Sequence, residues 1–136
     1  MVEIDILYEG DLHCRITHLP SQTQILTDAP KDNQGRGETF SATDLVAAAL
    51  GSCMVSMMAI AARRDGIRLD GSRVRVEKHM SQEPPRRIAK LVVRIDCVPG
   101  IPMERREALE RAAHTCPVLK SLHPDIDIQL SFAFPD

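Results

Sequence analysis

Residues 41–66, SATDLVAAALGSCMVSMMAIAARRDG, constrain the fold more than any other stretch. Between Asp44 and Arg63 there is no charge and no proline, and alanine, leucine and methionine, all strong helix formers, dominate. A helix is expected. Ser41 or Thr43 offers an oxygen to the unpaired amides of the first turn, and Asp44 sets a negative charge at the positive end of the dipole. Arg63 and Arg64 supply donors near the last carbonyls, and Gly66 can take the left-handed closing conformation. Only Ser52 and Ser56 interrupt the apolar surface, so the helix has no face suited to water and is expected to be buried on every side. Its uncharged run reaches the lower limit of a membrane span, but half of it is alanine, glycine and serine, which insert weakly. A core helix is therefore expected, and no membrane.

The flanking segments alternate as strands do. Residues 2–8 place Val2, Ile4, Ile6 and Tyr8 on one face, Gly10 and Asp11 turn the chain, and residues 12–18 repeat the pattern with Leu12, Cys14 and Ile16. A third strand over 22–27 completes an antiparallel meander. Residues 28–39, DAPKDNQGRGET, are polar and show no period, which predicts a loop leading into the buried helix. Beyond the helix, 73–80 and 88–98 form a long hairpin whose return strand turns Leu91, Val93, Ile95 and Cys97 to one side. Pro102 suits the start of a second helix, with Met103, Leu109, Ala112, Ala113 and Cys116 at helical spacing. Pro117 breaks that helix, a short helical turn follows, and Ile126, Ile128, Leu130, Phe132 and Phe134 mark a last strand over 125–134. The order is β-β-β-α-β-β-α-β, a single α+β domain over 1–136. Six strands and one further helix cannot sheathe a helix apolar all round, so an intimate homodimer is expected, with the two long helices at its centre.

Seventeen basic against nineteen acidic residues give a net charge of -2, which predicts no nucleic-acid partner. Met1-Val2-Glu3-Ile4-Asp5 carries neither a basic leader nor an apolar signal core, which predicts a cytoplasmic protein with reduced thiols. Four irregularly spaced cysteines then do not read as a disulfide framework; their special use, if they have one, is catalytic or redox. Cys53 reads two ways, as a small hydrophobe in an alanine-rich helix or as a reactive thiol. Cys116 precedes Pro117 at a helix break, where free amides can favour a thiolate, or it closes the core there. Cys14 and Cys97 read as packing. His13, His18, His79, His114 and His123 form no metal-ligand spacing with the cysteines, so no metal and no cofactor are expected. Arg36 and Glu38 are the functional candidates of the loop, and Arg15 is a further cation.

The run Gly37-Glu38-Thr39-Phe40-Ser41-Ala42-Thr43-Asp44-Leu45, leading into Ala47-Ala48-Ala49-Leu50-Gly51-Ser52-Cys53-Met54 and followed some sixty residues on by Cys116-Pro117-Val118, resembles the OsmC/Ohr superfamily. These are the osmotically inducible and organic hydroperoxide resistance proteins. The resemblance implies an intertwined homodimer with long central helices enclosed by antiparallel sheets, and a thiol peroxidase acting on small organic hydroperoxides. It implies Cys53 as the peroxidatic thiol, Cys116 as the resolving one, and a small dithiol as reductant. The superfamily's well-studied peroxidases place a glutamate ten residues before the reactive cysteine, paired with an arginine; here that position is Thr43, and Glu38 with Arg36 is the pair offered instead. Met54, Met57 and Met58 either line a site for a peroxide's apolar tail or pack the core. The alternative function is a dimeric redox-sensing or small-ligand-binding protein of the same fold that does not turn over peroxide.

Overall fold

The computed structural model describes residues 1–136, which form two compact units, 1–46 and 47–136. In the first, β1 (Ile4–Gly10), β2 (His13–His18) and β3 (Thr23–Asp28) make the expected antiparallel meander, in the order β1-β2-β3. Asp11 and Leu12 take positive φ, 57° and 62°, the backbone of a two-residue turn whose twist matches that of the flanking strands. The apolar residues of this sheet stay open: Ile4, Ile6, Leu7, Tyr8, Ile25 and Leu26 are between 44% and 62% exposed. Alternation therefore set the strands, but this chain does not cover their apolar faces.

After β3 the loop doubles back on itself. A single 3-10 turn covers Lys31–Asn33, the Gly35 amide donates to the Pro30 carbonyl at 3.0 Å, and the Gly37 amide donates to the Ala29 carbonyl at 3.2 Å. Gly35 comes so close to Ala29 that a Cβ on it would stand 1.7 Å from the Ala29 carbonyl oxygen, so no other residue fits this path. The fold-back brings the amides of Arg36 and Glu38 onto the carboxylate of Asp28.

Helix α1 (Ala42–Arg63) starts and stops as its ends dictate. Ser41 rather than Thr43 is the cap: the Asp44 amide donates to Ser41 Oγ at 3.1 Å and the Ser41 amide donates to Asp44 Oδ2 at 2.9 Å, a reciprocal box. At the other end Gly66, at φ 69°, lets the Ile67 amide reach the Ala62 carbonyl and its own amide reach that of Arg63. By length and mean hydropathy α1 matches a membrane span. Within the second unit, however, one stripe of it, Ala47, Leu50, Gly51, Met54, Met58 and Ala62, is buried, with Val74 and Val76 lying against Gly51. Ala48, Ser52, Ser56 and Ile60 remain exposed, so one chain sheathes one face of the helix and not all of it.

The second unit is built on β4 (Arg73–Met80), β5 (Ile88–Asp96) and β6 (Asp127–Ala133), in the order β4-β5-β6. β5 is central and turns Leu91, Val93 and Ile95 into the core beside Leu50, Met54, Met58, Leu109 and Ala113. The β4–β5 hairpin is antiparallel, but β6 pairs with β5 in parallel, so this sheet is mixed where antiparallel sheets were expected. The reason is the connection. A hairpin re-enters the sheet at the end the chain has just left, whereas the long crossover through α2 (Met103–Ala113) and α3 (Pro117–Ser121) carries the chain back to the end where β5 began. Pro102 lies just outside α2 as its cap, and Met103, expected on the buried face, is 74% exposed. Leu109, Ala113 and Cys116 carry that face instead.

Candidate active site

Two thiols from distant parts of the chain meet in the second unit. Cys53 lies near the middle of α1 and is half-buried; Cys116 is the residue before α3 and is fully buried. The Cys53 thiol lies near enough to Cys116 to raise that thiol's pKa. Each is there for a local reason. Cys53 follows the buried Leu50 and Gly51 and precedes the buried Met54, so it sits at the edge of the stripe that α1 turns to the core. Cys116 is fixed by Pro117, which cannot continue α2 and starts α3 instead, and its Sγ accepts the Leu119 amide at 3.4 Å.

The electrostatics at Cys116 differ from the thiolate site expected at a helix break. Burial, and then the neighbouring Cys53 thiol, push its pKa above the ordinary thiol value, and the Leu119 and Val118 amides offset this only in part. Desolvation of a side chain with no exposed surface outweighs two amides of a five-residue helix. Cys116 is therefore a protonated thiol at neutral pH, held against a more accessible one. Cys97, 5% exposed, is likewise pushed up by burial, with Asp96 and Glu110 adding to it, and Cys14 is half-buried on β2. Met54 and Met58 have no exposed surface and belong to the core; Met57 is half-buried.

Arg36 and Glu38 do pair, Nη1 to Oε1 at 3.4 Å, within the first unit. Arg36 also reaches Asp11 at 3.3 Å. Arg15 pairs with Glu9 at 3.1 Å and donates to Gln24. Thr43 Oγ1 faces the capping Ser41 Oγ at 3.2 Å. The first unit also holds a cluster that the spacing of residues does not reveal. His13 on β2, Asp28 at the end of β3 and Glu38 in the loop bring one ring nitrogen and two carboxylates together, each donor atom within 4.8 Å of the others. The Glu38 amide, with His13 and the Arg36 amide behind it, holds the Asp28 carboxyl below its usual range despite burial. The Asp11 carbonyl, with Asp28 and Glu38 behind it, lifts His13 above the usual imidazole value against desolvation. Only the β2–β3 register, which sets His13 opposite Asp28, would have pointed to it.

The family model of OsmC-like proteins matches residues 35–131. No curated protein sequence matches the chain. Among solved structures, a protein of Psychrobacter arcticus 273-4, provisionally named an osmotic stress induced and detoxification response protein, is 39% identical, with a TM-score of 0.91 over 97% of this chain and 96% of that one. The organic hydroperoxide resistance protein OsmC of Legionella pneumophila shares the fold at 18% identity, with a TM-score of 0.77 over 98% and 96% of the two chains. OhrB of Bacillus subtilis, an organic hydroperoxide resistance protein, does so at 18% identity, with a TM-score of 0.71 over 97% of each chain.

Proposed function

The chain belongs to the OsmC-like protein family, and from that membership we propose that it is a thiol-dependent peroxidase reducing organic hydroperoxides, with Cys53 as the attacking thiol and Cys116 as the resolving one. The observation that carries the reading is the proximity of Cys53 and Cys116, two free thiols sixty-three positions apart, of which one is half-buried and the other fully buried and protonated. The structures named as organic hydroperoxide resistance proteins support the choice of substrate class.

In this reaction the Cys53 sulfur, as thiolate, attacks the outer oxygen of the peroxide. The S–O bond forms as the O–O bond breaks, the alkoxide takes a proton and leaves as an alcohol, and Cys53 becomes a sulfenic acid. The Cys116 sulfur then attacks the Cys53 sulfur. The S–O bond breaks, hydroxide leaves with the proton of the Cys116 thiol as water, and a disulfide remains. A small dithiol restores both thiols by exchange. The roles follow from access: a peroxide must reach the first sulfur, while the second needs only to reach the first. They rest on Cys53 and Cys116.

The test is to treat the fully reduced protein with one equivalent of an organic hydroperoxide and to map the product. Rapid loss of two of the four free thiols, with a single Cys53–Cys116 disulfide, is expected. Slow loss, or a disulfide through Cys14 or Cys97, overturns the peroxidase reading in favour of a sensing or ligand-binding protein. The homodimer belongs to the same proposal. The open apolar residues of β1 to β3 and the exposed side of α1 need a cover, and a second copy offers matching surfaces. Sedimentation equilibrium should give the mass of two chains at micromolar concentration, and the mass of one chain there would remove the dimer.

A further inference from the structure

We propose that His13, Asp28 and Glu38 form a binding site for a divalent transition-metal ion of the zinc class, with His13 Nε2 and one oxygen of each carboxylate as the protein ligands. All three residues belong to the first unit, and binding does not draw on the thiols' chemistry.

Three observations converge on it. The first is geometric. His13 Nε2 stands 3.4 Å from Glu38 Oε2 and 3.6 Å from Asp28 Oδ2. Those separations are long for a good hydrogen bond. They are close to the edge of a tetrahedron, roughly 3.3 Å, whose centre lies at zinc–nitrogen and zinc–oxygen bond lengths from each corner.

The second is an orphaned atom. Asp28 is 2% exposed. Its Oδ2 accepts the Arg36 amide at 3.2 Å and the Glu38 amide at 3.0 Å, while Oδ1 is buried with no hydrogen-bond partner. A buried carboxylate with one unpartnered oxygen is costly to keep ionised, and a cation bound through its other oxygen lowers that cost by drawing off charge.

The third is the orientation of the histidine. His13 Nδ1 lies 2.7 Å from the Asp11 carbonyl oxygen, which can only accept, so Nδ1 carries the proton. Nε2 of the neutral ring then turns its lone pair toward two carboxylates. Three acceptors facing one another repel unless a proton or a metal ion lies between them. A backbone carbonyl on the far ring nitrogen is also the partner by which metal-ligating histidines are held in one tautomer.

Charge and access agree with a divalent ion. One neutral imidazole and two carboxylates balance a charge of +2, and a mixed nitrogen and oxygen set suits zinc better than magnesium or calcium. Arg36 takes Glu38 Oε1 and the Asp11 carboxylate, which leaves Glu38 Oε2 to the cluster. The Glu38 side chain is 52% exposed and that of His13 is 24% exposed, so water can complete the coordination from the open side.

The rival occupant is a proton on His13, which would make the cluster an ordinary ion pair. Equilibrium dialysis of the reduced full chain against zinc ion alone separates the two. One zinc per chain is expected, unchanged in a Cys53→Ser/Cys116→Ser background and weakened at least about 100-fold by His13→Ala and, separately, by Glu38→Gln. Both substituted side chains are partly open to solvent, and circular dichroism checks that each variant keeps its fold. With cobalt in place of zinc, four-coordinate visible bands without a near-ultraviolet sulfur band are expected. No zinc uptake by the unaltered chain overturns the proposal, as does uptake that survives His13→Ala or disappears with the two thiols.

Discussion

Replacing Cys53 with serine is expected to abolish peroxide-driven thiol loss: the variant's remaining free thiols should all survive one equivalent of an organic hydroperoxide, where the unaltered chain falls from four to two. A serine hydroxyl is a far weaker nucleophile at neutral pH, and Cys116 cannot take over because it has no exposed surface and burial keeps its thiol protonated. Cys116→Ser should give a different result. Cys53 would still be oxidised but would stop at the sulfenic acid, which a cyclic 1,3-diketone traps as a mass-shifted peptide. The pH dependence separates the steps further. Because the Cys116 pKa is raised, its thiolate fraction keeps growing beyond pH of about 8.5, where an ordinary thiol is half ionised. Disulfide closure, the second kinetic phase, should therefore keep accelerating with pH past that point. Equal thiol loss in the Cys53→Ser variant, or closure that levels off below pH of about 8, would falsify the assigned roles.

Replacing Gly51 with leucine is expected to lower the stability of the second unit by about 3 kcal/mol or more. Gly51 is buried, and a Cβ placed on it would stand 2.8 Å from Val76 Cγ2 and 3.1 Å from Val74 Cγ1. Valine is stiff at χ1, so neither methyl can swing aside as the end of a long side chain would. Gly51→Ala is the graded case. Alanine gains about 1 kcal/mol of helix propensity over glycine. Overpacking costs about 1 to 3 kcal/mol, so a net loss is expected. Adding Val76→Ala should recover part of that loss, with a coupling of about 1 kcal/mol in a double-mutant cycle, because it removes the methyl that the new Cβ meets. Denaturant unfolding measures each term. A Gly51→Ala variant more stable than the parent would show that α1 and β4 can move apart at this point.

Much of this is legible in the sequence alone, and the reason differs from element to element. The ends of α1 were readable because caps are local: Ser41 and Asp44 lie three residues apart, and Gly66 needs only its own φ. The core face of β5 was readable because a strand's side chains alternate whatever lies opposite. Ser41 over Thr43 as the cap was not, since both carry the same oxygen and only the backbone geometry chooses between them. Met103 shows the same limit, as helical spacing assigns a face but not where the sheet beneath it ends.

The candidate site divides along the same line. Family resemblance singled out Cys53 and Cys116, but residue spacing does not determine whether two sulfurs touch or which is buried. Nor does it show that burial outweighs the Leu119 and Val118 amides at Cys116, because desolvation depends on what surrounds a group in space. His13, Asp28 and Glu38 show this most plainly. They stand on β2, at the end of β3 and in a loop, and they meet only because Gly35 lets that loop fold back.

By itself the sequence determined the order and kind of the elements, where α1 starts and stops, and the core face of β5, because those depend on residues a few positions apart. Tertiary structure alone decided the parallel pairing of β6 with β5, the meeting of the two thiols and the gathering of one imidazole and two carboxylates. These depend on groups far apart in the chain, whose distances, burial and charge are set only once the elements have packed.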